Sequence, residues 1–184
     1  MKYKSSFGAA FRFILVCAVL FPMAGAAARC DESRTADSWR DQVLYFVLLD
    51  RFENGCPCDD FDVNPRDPHG FHGGDLDGLR ARLDWLTDLG VTGVWLSPVA
   101  RNRPMPFYGQ QPYHGYWTWD FFKVDSRFGT MRKLRELRDD MHRRGITLLL
   151  DMVVNHAGYD APIAALHPDW FHANGNISDW NDRE

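Results

Sequence analysis

The sequence predicts an α/β fold built on a parallel sheet, and three observations predict it. Apolar runs of strand length alternate with segments of helical periodicity, the links after the strands are long, and the links after the helices shrink to about one glycine. The first run, Val43-Leu44-Tyr45-Phe46-Val47-Leu48-Leu49, is continuous, β-branched and aromatic, which predicts a strand buried on both faces. Asp50-Arg51-Phe52 closes it, and a loop rich in Gly, Pro and Asp follows from Glu53 to about Asp75. Leu76, Leu79, Leu83, Leu86 and Leu89 then recur at three- and four-residue steps, the spacing of one amphipathic helix. Asp75 or Asp77 caps its start and Gly90 its end.

Val91-Thr92-Gly93-Val94-Trp95-Leu96 reads as the second strand, stopped by Ser97-Pro98. A loop of some thirty residues leads to a helix from about Thr130 to Arg144, with Leu134, Leu137 and Met141 inward and Gly145 at its stop. Ile146 to Val154 reads as the third strand, ending in Asn155-His156. In parallel α/β folds the functional site lies at the carboxyl ends of the strands. Asp50, Ser97, Asn155 and His156 stand there.

The chain has 184 residues, of which 45% are apolar and 25% charged, with a net charge of −4. That balance argues against a nucleic-acid partner, which needs a basic surplus. Lys2, Lys4 and Arg12 precede the apolar run Phe13 to Phe21, and the segment ends in Gly25-Ala26-Ala27-Ala28. A basic start, a short apolar core and an Ala-x-Ala end predict a signal peptide over residues 1–28, cleaved after Ala28, and hence a secreted or periplasmic protein. Phe13 to Ala28 is shorter than the ~20 residues of a spanning helix, so no membrane association is expected after cleavage. Without the leader 18 basic residues face 25 acidic ones, a charge of −7. Cys30, Cys56 and Cys58 remain. Cys56 and Cys58 are too close in sequence for an easy mutual bridge, which leaves a Cys30 bridge to one of them or a zinc site as alternatives.

Three constellations carry candidate chemistry. Residues 107–122 hold Phe107, Tyr108, Tyr113, Tyr116, Trp117, Trp119, Phe121 and Phe122, eight of the 26 aromatics in 16 positions. A solvent-side loop has no core reason for that density, whereas sugar faces stack on such rings; Tyr116 and Trp117 are the stacking candidates, and Phe121 and Phe122 are expected to pack inward. Asp151, Asn155 and His156 end the third strand, where burying a carboxylate, an amide and an imidazole is costly unless they meet a ligand, metal or partner. Strand alternation would put Asp151, Val153 and Asn155 on one face and Met152, Val154 and His156 on the other. Asn54, Asp59, Asp60 and Asp75 beside Gly73-Gly74 are oxygen donors on a Gly-rich loop, a set that suits calcium or a solvated acidic turn. His69-x-x-His72 has no matching third ligand and reads as a surface turn.

Together these residues carry a resemblance. Asp50-Arg51-Phe52, Gly73-Gly74-Asp75, Val94-Trp95-Leu96-Ser97-Pro98, Tyr113-His114-Gly115-Tyr116-Trp117 and Asp151-Met152-Val153-Val154-Asn155-His156, in that order, resemble the α-amylase family of glycoside hydrolases, with the flavour of its cyclodextrin glucanotransferase and maltogenic amylase branch. The resemblance runs from about Val43 onward. It implies a (β/α)8 TIM barrel, of which residues 29–184 would be the N-terminal portion, with 157–184 opening the small domain inserted after strand three. It implies a retaining enzyme acting on α-1,4-glucans such as starch, maltodextrin or cyclodextrin. By that resemblance Asp151 orients an arginine found further on, His156 bonds the sugar at the cleavage subsite, Tyr116 stacks on it, and His114 and Trp117 line the pocket. Asn155 is implied as a ligand of one calcium ion, and Asn54, Asp59, Asp60, Gly73 and Asp75 as the site of a second. Cys56 departs from the pattern there, standing where an oxygen ligand would be expected. Trp170 and Asn174 to Trp180 would begin the inserted domain.

Retaining hydrolysis needs two carboxyl groups about 5 Å apart, and the resemblance places them on strands four and five. A barrel takes about 250 residues, so the 184 are read as an incomplete member: a truncated frame, a partial sequence or a decayed gene. Three strands alone leave an unpaired apolar edge. The chain by itself is therefore expected to be insoluble or unfolded and without starch hydrolysis. A non-catalytic α-glucan-binding protein, a transglycosylase, and a metal-dependent enzyme using Asp151 and His156 stand as alternatives.

Overall fold

A computed structural model describes residues 39–172. The export segment 1–28, Cys30 and the run Asn174 to Trp180 lie outside the described residues. Three parallel strands, β1 (Leu44–Val47), β2 (Gly93–Leu96) and β5 (Thr147–Leu150), form one sheet in the order β1-β2-β5. Their register sets Val47 beside Leu96 and Leu96 beside Leu150, so all three strands end at one level. The helices α1 (Leu76–Ala81), α2 (Leu83–Asp88) and α3 (Met131–Arg143) supply the rest of the core. Leu79, Leu86, Leu137 and Met141 are fully buried with Val94, Leu96 and Val47 of the strands.

Local chemistry fixes each element. The Asp75 carboxylate accepts from the Gly78 N–H at 2.7 Å and caps α1. The expected single helix is divided at Arg82, whose backbone leaves helical geometry, although the apolar stripe runs on through α2. Thr130 accepts from the Lys133 N–H to cap α3, and Gly145 ends that segment at φ 72°. Arg80 of α1 pairs with Glu136 and Asp140 of α3, fastening the two helices over the sheet. At Gly74 a Cβ would lie 2.0 Å from the Leu49 carbonyl oxygen, so only glycine lets the loop run against the end of β1.

The structure corrects several expectations. The strands are covered on one face only. Leu44 and Phe46 of β1 and Trp95 of β2 are about half exposed on the other face, where Phe46 and Trp95 meet edge to face at 5.1 Å. An all-apolar strand signals two buried faces, but the described residues provide helices for one. β1 also stops at Val47, because Leu49–Arg51 turn into a 3-10 helix. β5 is shorter than the run 146–154, since pairing with β2 ends after the Asp151 N–H reaches the Leu96 carbonyl at 3.0 Å. The supposed irregular loop 99–129 contains an antiparallel pair, β3 (Ala100–Asn102) and β4 (Thr118–Val124). Phe122 on β4 does not pack inward but is 70% exposed, and Phe121 is half-buried. A short helix, α4 (Pro162–Leu166), packs on β4. Cys56 and Cys58 are joined to each other in a disulfide, against the expectation that they are too close in sequence for an easy mutual bridge.

The two faces of the sheet predict opposite mutational responses. Leu137→Ala in the covered core should cost ~2–5 kcal/mol, whereas Phe46→Ala on the open face should cost roughly 1 kcal/mol or less. Urea denaturation of the two refolded variants reads this difference; equal costs would show that the open face is buried.

Candidate functional site

The site forms where the parallel strands end and the 103–117 segment folds back over them. Gly115 makes the turn at φ 89°, and a Cβ there would lie 2.2 Å from the Pro98 carbonyl oxygen, so glycine is required. The turn carries His114, Tyr116 and Trp117 together. The Tyr116 N–H donates to His114 Nδ1 at 3.0 Å, and the two rings lie 5.8 Å apart and nearly parallel. His114 and Trp117 meet edge to face at 4.7 Å. Burial holds the His114 imidazole below its usual pKa, so it is neutral at neutral pH.

The Tyr116 hydroxyl donates to Asp151 Oδ2 at 2.8 Å, across 35 positions of sequence. His156 Nε2 lies 3.0 Å from the Tyr116 carbonyl oxygen, and its Nδ1 lies 3.3 Å from Asn155 Nδ2. Asp151 and His156 therefore both reach Tyr116, although strand alternation assigned them to opposite faces. The reason is that the ladder ends at Leu150 and the chain beyond it bends. Five predicted residues, His114, Tyr116, Trp117, Asp151 and His156, are thus brought together by direct contacts at the carboxyl end of the sheet, with Asn155 beside His156.

The calcium-loop residues come together differently. Asn54 Nδ2 donates to both oxygens of Asp60, at 2.9 and 3.0 Å. Gly73, at φ 93°, leaves room for that pair, since a Cβ would lie 2.5 Å from Asn54 Nδ2. Asp75 is fully buried, and besides capping α1 it accepts from the Gly55 and Cys56 N–H groups at 3.1 and 2.7 Å. Asp59 is paired with Lys133 at 2.8 Å. Neither His69 nor His72 belongs to a metal-ligating group among the described residues.

Sequence reasoning missed the supports of the residues at the carboxyl end of the sheet, Asp50 excepted. Buried Asn102 accepts from the Trp117 N–H at 2.9 Å, and its own N–H donates to buried Asp125 at 2.9 Å. Arg51 stacks on the Tyr113 ring at 3.9 Å and donates to the Pro68 and Gly70 carbonyls. Asp50, 2% exposed, accepts from the His72 and Gly73 N–H groups; burial raises its pKa, which those bonds and Arg51 oppose. The one available signal was that a polar residue closing a strand is a candidate, and it marked Asp50 but not Asn102.

A family model for the α-amylase catalytic domain matches residues 33–180. The beta/alpha-amylase of Paenibacillus polymyxa is 38% identical over 151 residues, which cover 77% of this chain and 12% of that protein. The periplasmic α-amylase of Escherichia coli is 40% identical over 148 residues, covering 72% and 21%. Among solved structures, the α-amylase of Geobacillus thermoleovorans in complex with acarbose superposes with a TM-score of 0.66 at 43% identity, over 78% of this chain and 30% of that one. An Anoxybacillus α-amylase gives 0.69 at 40% identity, over 77% and 30%. The chain therefore spans less than a third of the length of each of these proteins.

The Tyr116–Asp151 bond has a spectroscopic signature. Burial, and then the Asp151 carboxylate, push the Tyr116 phenol up to about 12. An unfolded tyrosine titrates near 10, so this stabilising contribution is present below about pH 10 and is lost as pH rises toward the folded value. A phenolate titration followed in the ultraviolet should show one late tyrosine that Tyr116→Phe removes and Asp151→Asn brings down. A late step that survives Tyr116→Phe would contradict the assignment.

Proposed function

The chain belongs to the α-amylase catalytic-domain family, and from that premise we propose that its cleft binds α-glucan as part of a secreted or periplasmic, retaining glycoside hydrolase. Acarbose binding by the Geobacillus thermoleovorans relative supports the ligand class. The observation that carries the reading is the joining of Tyr116, His156 and Asp151 at the carboxyl end of the sheet. The Tyr116 and Trp117 rings offer a stacking surface for a glucosyl face, His114 offers its remaining nitrogen, Nε2, to the sugar hydroxyls, and His156 holds the Tyr116 turn through the Tyr116 carbonyl. Asp151 fixes the orientation of Tyr116 and is the positioning residue for a cationic group from the rest of the catalytic domain.

Hydrolysis with retention needs a carboxylate nucleophile and a carboxylic acid facing each other across the bond. The two acids at the strand ends are committed elsewhere: Asp50 to backbone N–H groups and Asp151 to Tyr116. Among the described residues, the strand-end acids thus serve binding and orientation and are not the reacting pair. The same cleft serves transfer to water or to a second sugar. Calcium, if bound near the cleft, takes the Asn155 side-chain oxygen, a hard donor suited to that ion; an Asn155→Ala variant whose melting responds to calcium as the parent does would remove Asn155 from the ligand set. Export rests on the Lys2 to Ala28 pattern, and a mature N-terminus at Arg29 is the expected result of sequencing the exported protein.

In affinity electrophoresis through starch or cyclodextrin gels, the 184-residue chain, once refolded, should be retarded and should release no reducing sugar. Tyr116→Ala should weaken retardation by roughly tenfold, and His156→Ala by several-fold. Unretarded migration of the folded wild-type chain, or reducing-sugar release by it, would contradict the proposal.

A further inference from the structure

The loop from Glu53 to Asp60, with Gly73 and Asp75 against it, carries the residues from which a calcium site was expected, and the side-chain donors found there do not fit one. Both oxygens of Asp75 are engaged by backbone N–H groups, at Gly78 and at Gly55 and Cys56. Both oxygens of Asp60 face the Asn54 amide N–H group, so Asn54 presents a donor where a ligand oxygen would be needed. The Cys56 side chain is tied up in the disulfide with Cys58. The third acid, Asp59, already has a cation.

That cation is Lys133. Its ammonium lies 2.8 Å from Asp59 Oδ2 and 2.8 Å from Asp77 Oδ2, with its side chain 15% exposed. Lys133 sits on the first turn of α3, Asp59 on the loop and Asp77 on α1, so one ammonium bridges three separate segments. Gly129 makes room for it: a Cβ there would lie 2.9 Å from the Lys133 Cδ. Burial alone would lower the lysine pKa, but the two carboxylates raise it overall, so the group stays charged throughout the physiological range.

We propose that the Lys133 ammonium, together with the Cys56–Cys58 disulfide, replaces a divalent ion in this loop, so that the 53–60 segment is held by the chain's own groups and is independent of calcium. The disulfide shortens the free span between two anchors, the Cys56 backbone N–H on Asp75 and the Asp59 side-chain carboxylate on Lys133. A tethered ammonium has the charge to join carboxylates across elements, and its presence repels a second cation at the same oxygens. The loop therefore answers to thiol reductants and to ionic strength where an ion-held loop would answer to chelators.

Hydrogen exchange of the folded 184-residue chain, read by mass spectrometry on the peptide covering 53–60, tests this in excess calcium and in excess chelator. Peptides from α3 and β2 serve as internal references for any global effect of calcium. The wild-type loop should exchange at the same rate in both solutions relative to those references. Lys133→Met, which keeps the aliphatic stem without the charge, should speed loop exchange by roughly tenfold, and Lys133→Arg should stay within about threefold of wild type. Loop-specific loss of protection in chelator in the wild type would overturn the proposal, and that arm stands even if Lys133→Met fails to fold. So would a folded Lys133→Met variant whose loop exchanges as the wild type does.

Discussion

The arrangement depends on one constraint, the parallel register that ends three strands at the same level. Val47, Leu96 and Leu150 lie side by side, so the residues that follow each of them emerge on one rim. Asp50 follows the first strand, Ser97 the second and Asp151 the third. Ser97 binds the 48–49 turn back to the sheet through the Leu49 N–H at 3.0 Å. The covered face of the sheet maintains that register with leucines of three helices. Parallel strands require long crossovers, and the crossover after β2 is the one that folds back as β3 and β4 to deliver Tyr116 over Asp151.

Polar groups at the rim are sorted by burial. Asp50, Asn102, Asp125 and Asp75 are nearly inaccessible and spend their oxygens on backbone N–H groups, which shapes loops without offering anything to a ligand. A buried carboxylate left unpaired would be costly, and these are not. Tyr116, Asn155 and His156 are exposed, and His114, Trp117 and Asp151 partly so. The outer set is thus available for recognition because the inner set holds its backbone.

Much of this was legible from residue pattern. Helical spacing located the leucines of α1, α2 and α3, and the glycines at 90 and 145 marked their ends. The cleft residues were found because aromatic density and polar strand ends are local signals. What escaped depends on distance. The Tyr116–Asp151 bond joins positions 35 apart, and the Lys133 contact with Asp59 joins positions 74 apart; no local spacing encodes either. The β3–β4 pair escaped because its residues mix aromatic, acidic and basic side chains without clean alternation. The half-exposed Phe46 and Trp95 escaped because apolar composition reports the capacity for burial, and only the neighbours decide whether it happens.

The central claim is that the rim over β5 recognises an α-glucan through the Tyr116 turn and the Asp151 to His156 segment. Titrating a linear maltooligosaccharide into the isotope-labelled chain and following its histidine and tryptophan ring signals by NMR tests that claim. The account predicts saturable shifts at His114, Trp117 and His156, with the remote Trp85 unmoved. Shifts centred on Trp85, or no shifts at all in a folded chain at high sugar concentration, would contradict it.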